Sequence, residues 1–240
     1  MAATFLICAL TSCGGTTTPT DDTTVTTDAN GSSGDSATTG SVVKPSDDSL
    51  TPGSIKFEPV TSTSGNMIAI QHYTENIKNL IIGDTYTDTD GTVYTVYSVG
   101  IGPGYKVCDA YSYSLESLVV RGGNTKKVEG YSFQNAPSLV AVSIGEGVET
   151  IGDLAFFRCT ALETLELPST LTSIGGSAFQ GCTSLTELVI PSGVTSIGNS
   201  AFGSCTSLTK VTLPSRFNDE TMLKDIFLSQ YKSIQFTFVD

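Results

Sequence analysis

Three cysteines, Cys159, Cys182 and Cys205, fall 23 residues apart. Thiols brought together by such a spacing can hold a soft metal ion, close a disulfide, or sit as small apolar side chains in a core. A repeat of fixed length stacks them side by side and pointing the same way, and parallel side-chain vectors suit disulfide geometry poorly. We read them as free buried thiols, with a disulfide (Cys108 being the fourth cysteine of the folded part) as the second reading and a metal as the third. Cys8 and Cys13 complete the set, and no CxxC pair occurs, so zinc-ribbon and thioredoxin readings have no support. His72 is the chain's one histidine. A His-based metal cluster or a Ser-His-Asp hydrolase therefore lacks its parts.

Two further groupings invite a chemical reading. Asp84, Asp88 and Asp90 precede Gly91 in the manner of a calcium loop. In EF-hand register, however, positions one and twelve fall on Tyr86 and Tyr97, so both essential carboxylates are missing. A solvated hairpin is the better reading, with weak calcium binding left open. Gly100-Ile101-Gly102-Pro103-Gly104-Tyr105 has the look of a phosphate loop, yet it lacks the third glycine and the Lys-Ser/Thr pair, and Pro103 removes a needed N–H. It reads as a turn. No acid–base pair, nucleophile–base set or metal cluster remains, so the expectation is a non-enzymatic chain without a cofactor. With 12 basic against 24 acidic residues and no basic stripe, a nucleic-acid partner is not expected either.

The first residues read as an address. Residues 1–10 form a short apolar run, too short to span a bilayer, that leads into Leu10-Thr11-Ser12-Cys13-Gly14. The string LTSC resembles the bacterial lipobox, and the resemblance implies that Cys13 is acylated and anchors the chain to a membrane. No Lys or Arg precedes the apolar run, a departure from ordinary signal peptides. Residues 14–52 are Thr-, Ser-, Gly- and Asp-rich without an aromatic residue, too polar to offset their ordering entropy. They read as a disordered tether with a reach of roughly 35 Å. Within it Asp22-Thr23-Thr24, Asp35-Ser36-Ala37 and Asp48-Ser49-Leu50 resemble the O-glycosylation motif of Bacteroidetes.

The cysteine spacing belongs to a larger pattern. Phe133, Phe156, Phe179 and Phe202 keep the 23-residue step, as do Leu139, Leu162, Leu185 and Leu208, and Val142, Leu165, Leu188 and Val211. Ile144, Leu167, Ile190 and Leu213 follow, and Pro168, Pro191 and Pro214 close three units. Within one unit, Ile174, Ala178, Phe179, Cys182 and Leu185 are spaced as one face of a short helix or of two irregular turns. Asp153, Asn199 and Gly175-Gly176 sit where an N-cap or tight turn is needed. Leu185-x-x-Leu188-x-Ile190 then alternates as a short strand. A unit this small cannot fold alone, so the units must stack. Leu115-x-x-Leu118-x-Val120 repeats the strand signature upstream at a 24-residue step. Downstream, Tyr231, Ile234 and Phe236 stand 23 residues after Leu208, Val211 and Leu213, with 218–230 as a capping helix.

The string VTSIGNSAFGSCTSLTKVTLP at 194–214 resembles the BspA-type leucine-rich repeat of bacterial and protozoan surface proteins. The resemblance extends over 80–214 and is strongest over 128–214; Leu80-Ile81-Ile82 and the run 91–100 are similar to that family's first strands. It implies an α/β repeat solenoid, a leucine-rich-repeat-like coil with an N-terminal β cap and a C-terminal helical and strand cap. The organisation expected is 1–13 signal and lipobox, 14–52 tether, 53–106 β cap and 107–240 solenoid. In the cap, Ile55 and Phe57 are expected to pair with Ile68 and Ile70, and Asp90-Gly91 to turn a hairpin.

Function would live where the columns vary, on the outward strand positions of a concave face. These are Ser117/Val119, Ala141/Ser143, Thr164/Glu166, Glu187/Val189, Lys210/Thr212 and Ser233/Gln235, six rows spanning roughly 25 Å at the inter-strand spacing. Thr164, Glu166, Glu187, Val189, Lys210 and Thr212 are the candidate binding residues, on a face without aromatic anchors. The resemblance implies a surface lipoprotein of the bacterial outer membrane or cell surface that binds an extracellular protein or glycan, as adhesins of the family do. A passive envelope component without a dedicated ligand is the alternative.

Overall fold

The structure is a computed structural model of the 240-residue chain. It describes residues 55–60, 67–73, 78–87, 92–100 and 115–240, with the backbone alone for 55–60, 67–73 and Tyr86. The apolar leader, Cys8, Cys13, the 14–52 segment with its three tripeptides, Asp88, Asp90-Gly91, the 101–105 turn, Cys108 and the side chain of His72 lie outside the described residues.

Each coil contributes two strands. The longer ones are β3 (Asn79–Ile82), β6 (Ser117–Val120), β8 (Ala141–Ile144), β10 (Thr164–Glu166), β12 (Glu187–Val189), β14 (Lys210–Pro214) and β15 (Gln235–Val239). They form two parallel sheets, ordered β10-β8-β6-β3 and β12-β14-β15. The shorter ones, β7 (Lys127–Val128), β9 (Thr150–Ile151), β11 (Ser173–Ile174) and β13 (Ser196–Ile197), were not anticipated from the sequence. They line up in parallel as the far end of another sheet. Their sequence signal is a β-branched residue, Val128, Ile151, Ile174 or Ile197, recurring at the 23-residue step. Inward side chains of both ladders meet in one continuous core.

That second ladder runs upstream through β5 (Val93–Val99) and β2 (Met67–Tyr73) to the antiparallel edge strand β1 (Ile55–Val60). Phe57 stands opposite Ile70 and Pro59 opposite Ile68, while β4 (Thr85–Thr87) pairs antiparallel with β5. Because β3 pairs with β6 and β5 with β7, both ladders cross the expected boundary at 106/107. Two buried hydroxyls reinforce the crossing: Thr125 Oγ1 donates to the Val96 carbonyl at 3.2 Å and Ser132 Oγ to the Val99 carbonyl at 3.1 Å.

Between the strands of a coil the chain forms turns and no helix. The apolar spacing alone left both open, and backbone conformation decides it. Tyr131, Leu154, Ser177 and Ser200 adopt φ of 65°, 55°, 54° and 58°, and Asn135, Arg158, Gly181 and Ser204, four residues further on, adopt 59°, 58°, 80° and 58°. Residues in the left-handed region cannot continue an α-helix. The freed amides turn to the next coil instead: Phe133, Phe156 and Phe179 donate to the carbonyls of Ala155, Ala178 and Ala201 at 2.7–2.8 Å. Each departure at a residue other than Gly181 costs about 1–3 kcal/mol and persists because the neighbouring coils hold it.

The coils approach closely. A Cβ on Gly175 would lie 2.5 Å from the Asp153 amide nitrogen and 2.6 Å from the Gly152 carbonyl carbon, so only glycine fits. Asp153 caps across coils, its Oδ1 accepting from the Gly176 amide at 2.6 Å. Glu146 reaches one coil forward and accepts from the Ser169 amide and hydroxyl, both at 2.9 Å. Those bonds, the Ser169 amide first, hold its carboxyl below the usual glutamate range.

The last coil corrects the expected register. The step lengthens to 25: Val211 pairs with Phe236 and Leu213 with Phe238, and the Phe202 amide donates to the Ile226 carbonyl. Helix α1 (Glu220–Phe227), capped by Asp219 through the Thr221 and Met222 amides, and a 3-10 turn at Leu228–Ser233 supply the extra length. Ser233 thus ends in that turn, and the outward pair of this row is Gln235 and Thr237.

Candidate functional site

The residues that could do chemistry end up inside the core. Cys159, Cys182 and Cys205 are fully buried free thiols. Each Sγ donates to a carbonyl of the preceding coil, to Phe133, Phe156 and Phe179 at 3.2, 3.4 and 3.2 Å. Burial pushes the Cys159 and Cys205 thiols up to about 12, and Cys182, with a cysteine on either side, well above its ordinary value. A thiol held protonated is a poor nucleophile. Among the described residues no group of three His, Cys, Asp or Glu side chains is placed to hold a metal. Asp84 lies in the bend between β3 and β4, its carboxylate packed where a Cβ on Gly123 would stand.

Beside the thiols runs the phenylalanine ladder. Phe133, Phe156, Phe179, Phe202 and Phe227 stack with centroid separations of 5.3, 5.1, 5.2 and 5.8 Å. Phe227 was missed by a search at a 23-residue step because it follows Phe202 by 25.

The face offered to a ligand is the outward side of the longer strands. Thr164, Glu166, Glu187, Val189 and Lys210 are exposed and Thr212 half-buried, so all six candidates point out of the core. The structure divides them. No ladder joins β10 to β12. Thr164 and Glu166 therefore belong to one sheet, and Glu187, Val189, Lys210 and Thr212 to the other. These last four, with Leu188, Val211, Gln235 and Thr237, line a shallow depression of about 240 Å3. Gln235 was expected on this face and is there, opposite Lys210 and not Thr212; Thr237 is the member that the 23-residue step missed. Alternation of Ile234, Phe236 and Phe238 was the signal that could have found it.

Lys210 Nζ donates to Glu187 Oε1 at 2.7 Å, which neutralises the two charges against each other at one wall. Val189 stands beside them at 64% exposure, the most exposed large apolar side chain among the described residues. The depression is thus a polar surface with one apolar protrusion. It can complement a ligand by shape and hydrogen bonding, with no group poised for bond making.

Short parallel strands stacked coil on coil around aligned leucine, phenylalanine and cysteine columns define a leucine-rich-repeat solenoid. The model of the BspA type leucine rich repeat region matches residues 108–237 in six copies, and the chain belongs to that family. The match starts later than the sequence resemblance and reaches further, taking in the 25-residue coil. In three dimensions the chain is similar to a T. pallidum leucine rich repeat protein, with 23% identity, 70% of this chain and 73% of that one covered, and a TM-score of 0.57. A likeness at that identity speaks for the fold alone. It is also similar to a leucine-rich repeat protein from Bacteroides ovatus, at 28% identity and a TM-score of 0.54. That alignment covers 68% of this chain and 43% of the other, so the chain spans less than half of that protein. No curated protein matches the chain. Repeat proteins of this family are typically non-enzymatic binding scaffolds and typically bacterial surface proteins.

Proposed function

We propose that the chain is a cell-surface binding protein that engages an extracellular protein on the β12-β14-β15 face, and that acylated Cys13 anchors it to the membrane. The observation that carries the reading is the depression, which gathers four of the six residues proposed from the sequence around an exposed apolar side chain. An apolar centre rimmed by polar groups is the anatomy of protein interfaces. Its shallowness and the lack of aromatic anchors favour modest affinity.

Biolayer interferometry of the 240-residue chain against matrix proteins and glycans tests the binding half. A saturable signal on a protein, weakened at least ten-fold by Val189→Glu and untouched by Thr164→Ala, is the expected result. Saturation on glycans alone would replace the protein ligand with a sugar. No saturable signal on either panel would sink the binding reading in favour of a passive envelope component. Mass spectrometry of the mature protein tests the anchor; an unmodified Cys13 overturns it.

A further inference from the structure

β15 is an edge of its sheet: β14 pairs with one side, and among the described residues no strand pairs with the other. The Gln235 amide donates back to the Thr209 carbonyl at 2.8 Å. Alternation along a strand then points the N–H and C=O groups of Phe236 and Phe238 away from β14. Edges of this kind are ordinarily blunted by charge, proline or a bulge. The opposite end of the molecule has all three, since β1 carries Lys56, Glu58 and Pro59 and a register shift between Lys56 and Phe57. β15, with the sequence QFTFV, has none of them. Its inward side chains are also incompletely covered. Phe236 and Phe238 remain only partly buried against the core.

We propose that β15 is a self-association surface, pairing antiparallel with β15 of a second copy of this chain about a two-fold axis through Thr237. The choice of a second copy rests on self-complementarity. A two-fold centred on Thr237 sets Phe236 of each copy opposite Phe238 of the other. The outward-facing amides and carbonyls then meet, and two half-buried aromatic pairs cover one another. Thr237 alone meets itself across such an axis and is uncharged, and no other residue of QFTFV brings a charge to the seam. The depression next to the edge, lined in part by Gln235 and Thr237, would be doubled across the axis.

The test is sedimentation velocity on the 240-residue chain from about 1 to 200 μM, which brackets micromolar dissociation constants. A concentration-dependent doubling of mass is expected. Thr237→Lys combined with Val239→Lys should weaken it at least ten-fold while far-UV circular dichroism and Tm stay unchanged. A second variant does not depend on that fold surviving. Thr237→Cys stands opposite itself at the close, non-hydrogen-bonded pair spacing and should cross-link under mild oxidation, with the 237–237 peptide identified by mass spectrometry. Gln235→Cys, opposite Val239, should not. A chain that stays monomeric throughout, a dimer indifferent to the two lysines, or equal cross-linking of the two cysteine variants would each overturn the proposal.

Discussion

The interior of the coils and the outward face of the longer strands follow opposite rules. Inside, like stacks on like: five phenylalanines, three cysteines and a leucine column each meet their own kind in the next coil. Outside, consecutive rows read Ala141/Ser143, Thr164/Glu166, Glu187/Val189 and Lys210/Thr212, and no two are alike. The contrast follows from spacing. Coils held about 5 Å apart by amide hydrogen bonds admit one packing solution, which each coil must repeat. Outward side chains have solvent to move into, so they are free to differ and to carry specificity.

Four measurements would break or sharpen that contrast. The largest effect should be chemical. A thiol at about 12 is ionised to roughly one part in ten thousand at pH 8, against a sizeable fraction for an exposed cysteine. Because burial raises these values, thiolate appears only as pH climbs toward 12. Peptide-mapped labelling of Cys159, Cys182 and Cys205 should therefore track global unfolding, and fast native labelling would disprove a sealed interior. Next, Phe179→Ala at the middle of the ladder should cost about 3–5 kcal/mol by chemical denaturation. A loss under 1 kcal/mol would mean that the neighbouring rings collapse into the space. Gly175→Ala should cost about 1–3 kcal/mol, since its methyl group forces two backbones apart. Smallest is Lys210→Ala on the outer face, where both partners are more than 60% exposed; about 0.2–1 kcal/mol is expected, and less in high salt. A loss as large as that of Gly175→Ala would erase the distinction between the two regions.

Both regions were unevenly legible beforehand. The inward columns could be read because an apolar residue type recurring at one step is itself the condition for stacking. The six outward candidates followed from strand alternation around them, and all six do face away from the core. Where the step changed, the reading failed. Counting 23 residues from Val211 lands on Ile234, whereas the ladder selects Phe236, because α1 and the turn after it lengthen the coil. The short strands went unread for a different reason. Two residues such as Ser173-Ile174 have too little local pattern to announce a strand, and only pairing with Thr150-Ile151 and Ser196-Ile197 makes them one.

What the sequence by itself determined is the repeating coil, its family and its buried columns, since periodic side-chain chemistry specifies which positions must be inside. Tertiary structure alone decided three things: turns in place of helices, the 25-residue last coil, and the division of the outward face between β10 and β12. All three are settled by hydrogen bonds from one coil to the next. Whether the Phe156 amide finds the Ala178 carbonyl, or β10 finds β12, depends on how neighbouring coils lie against each other. A hydrogen bond between residues more than twenty positions apart leaves no mark in the local pattern of either.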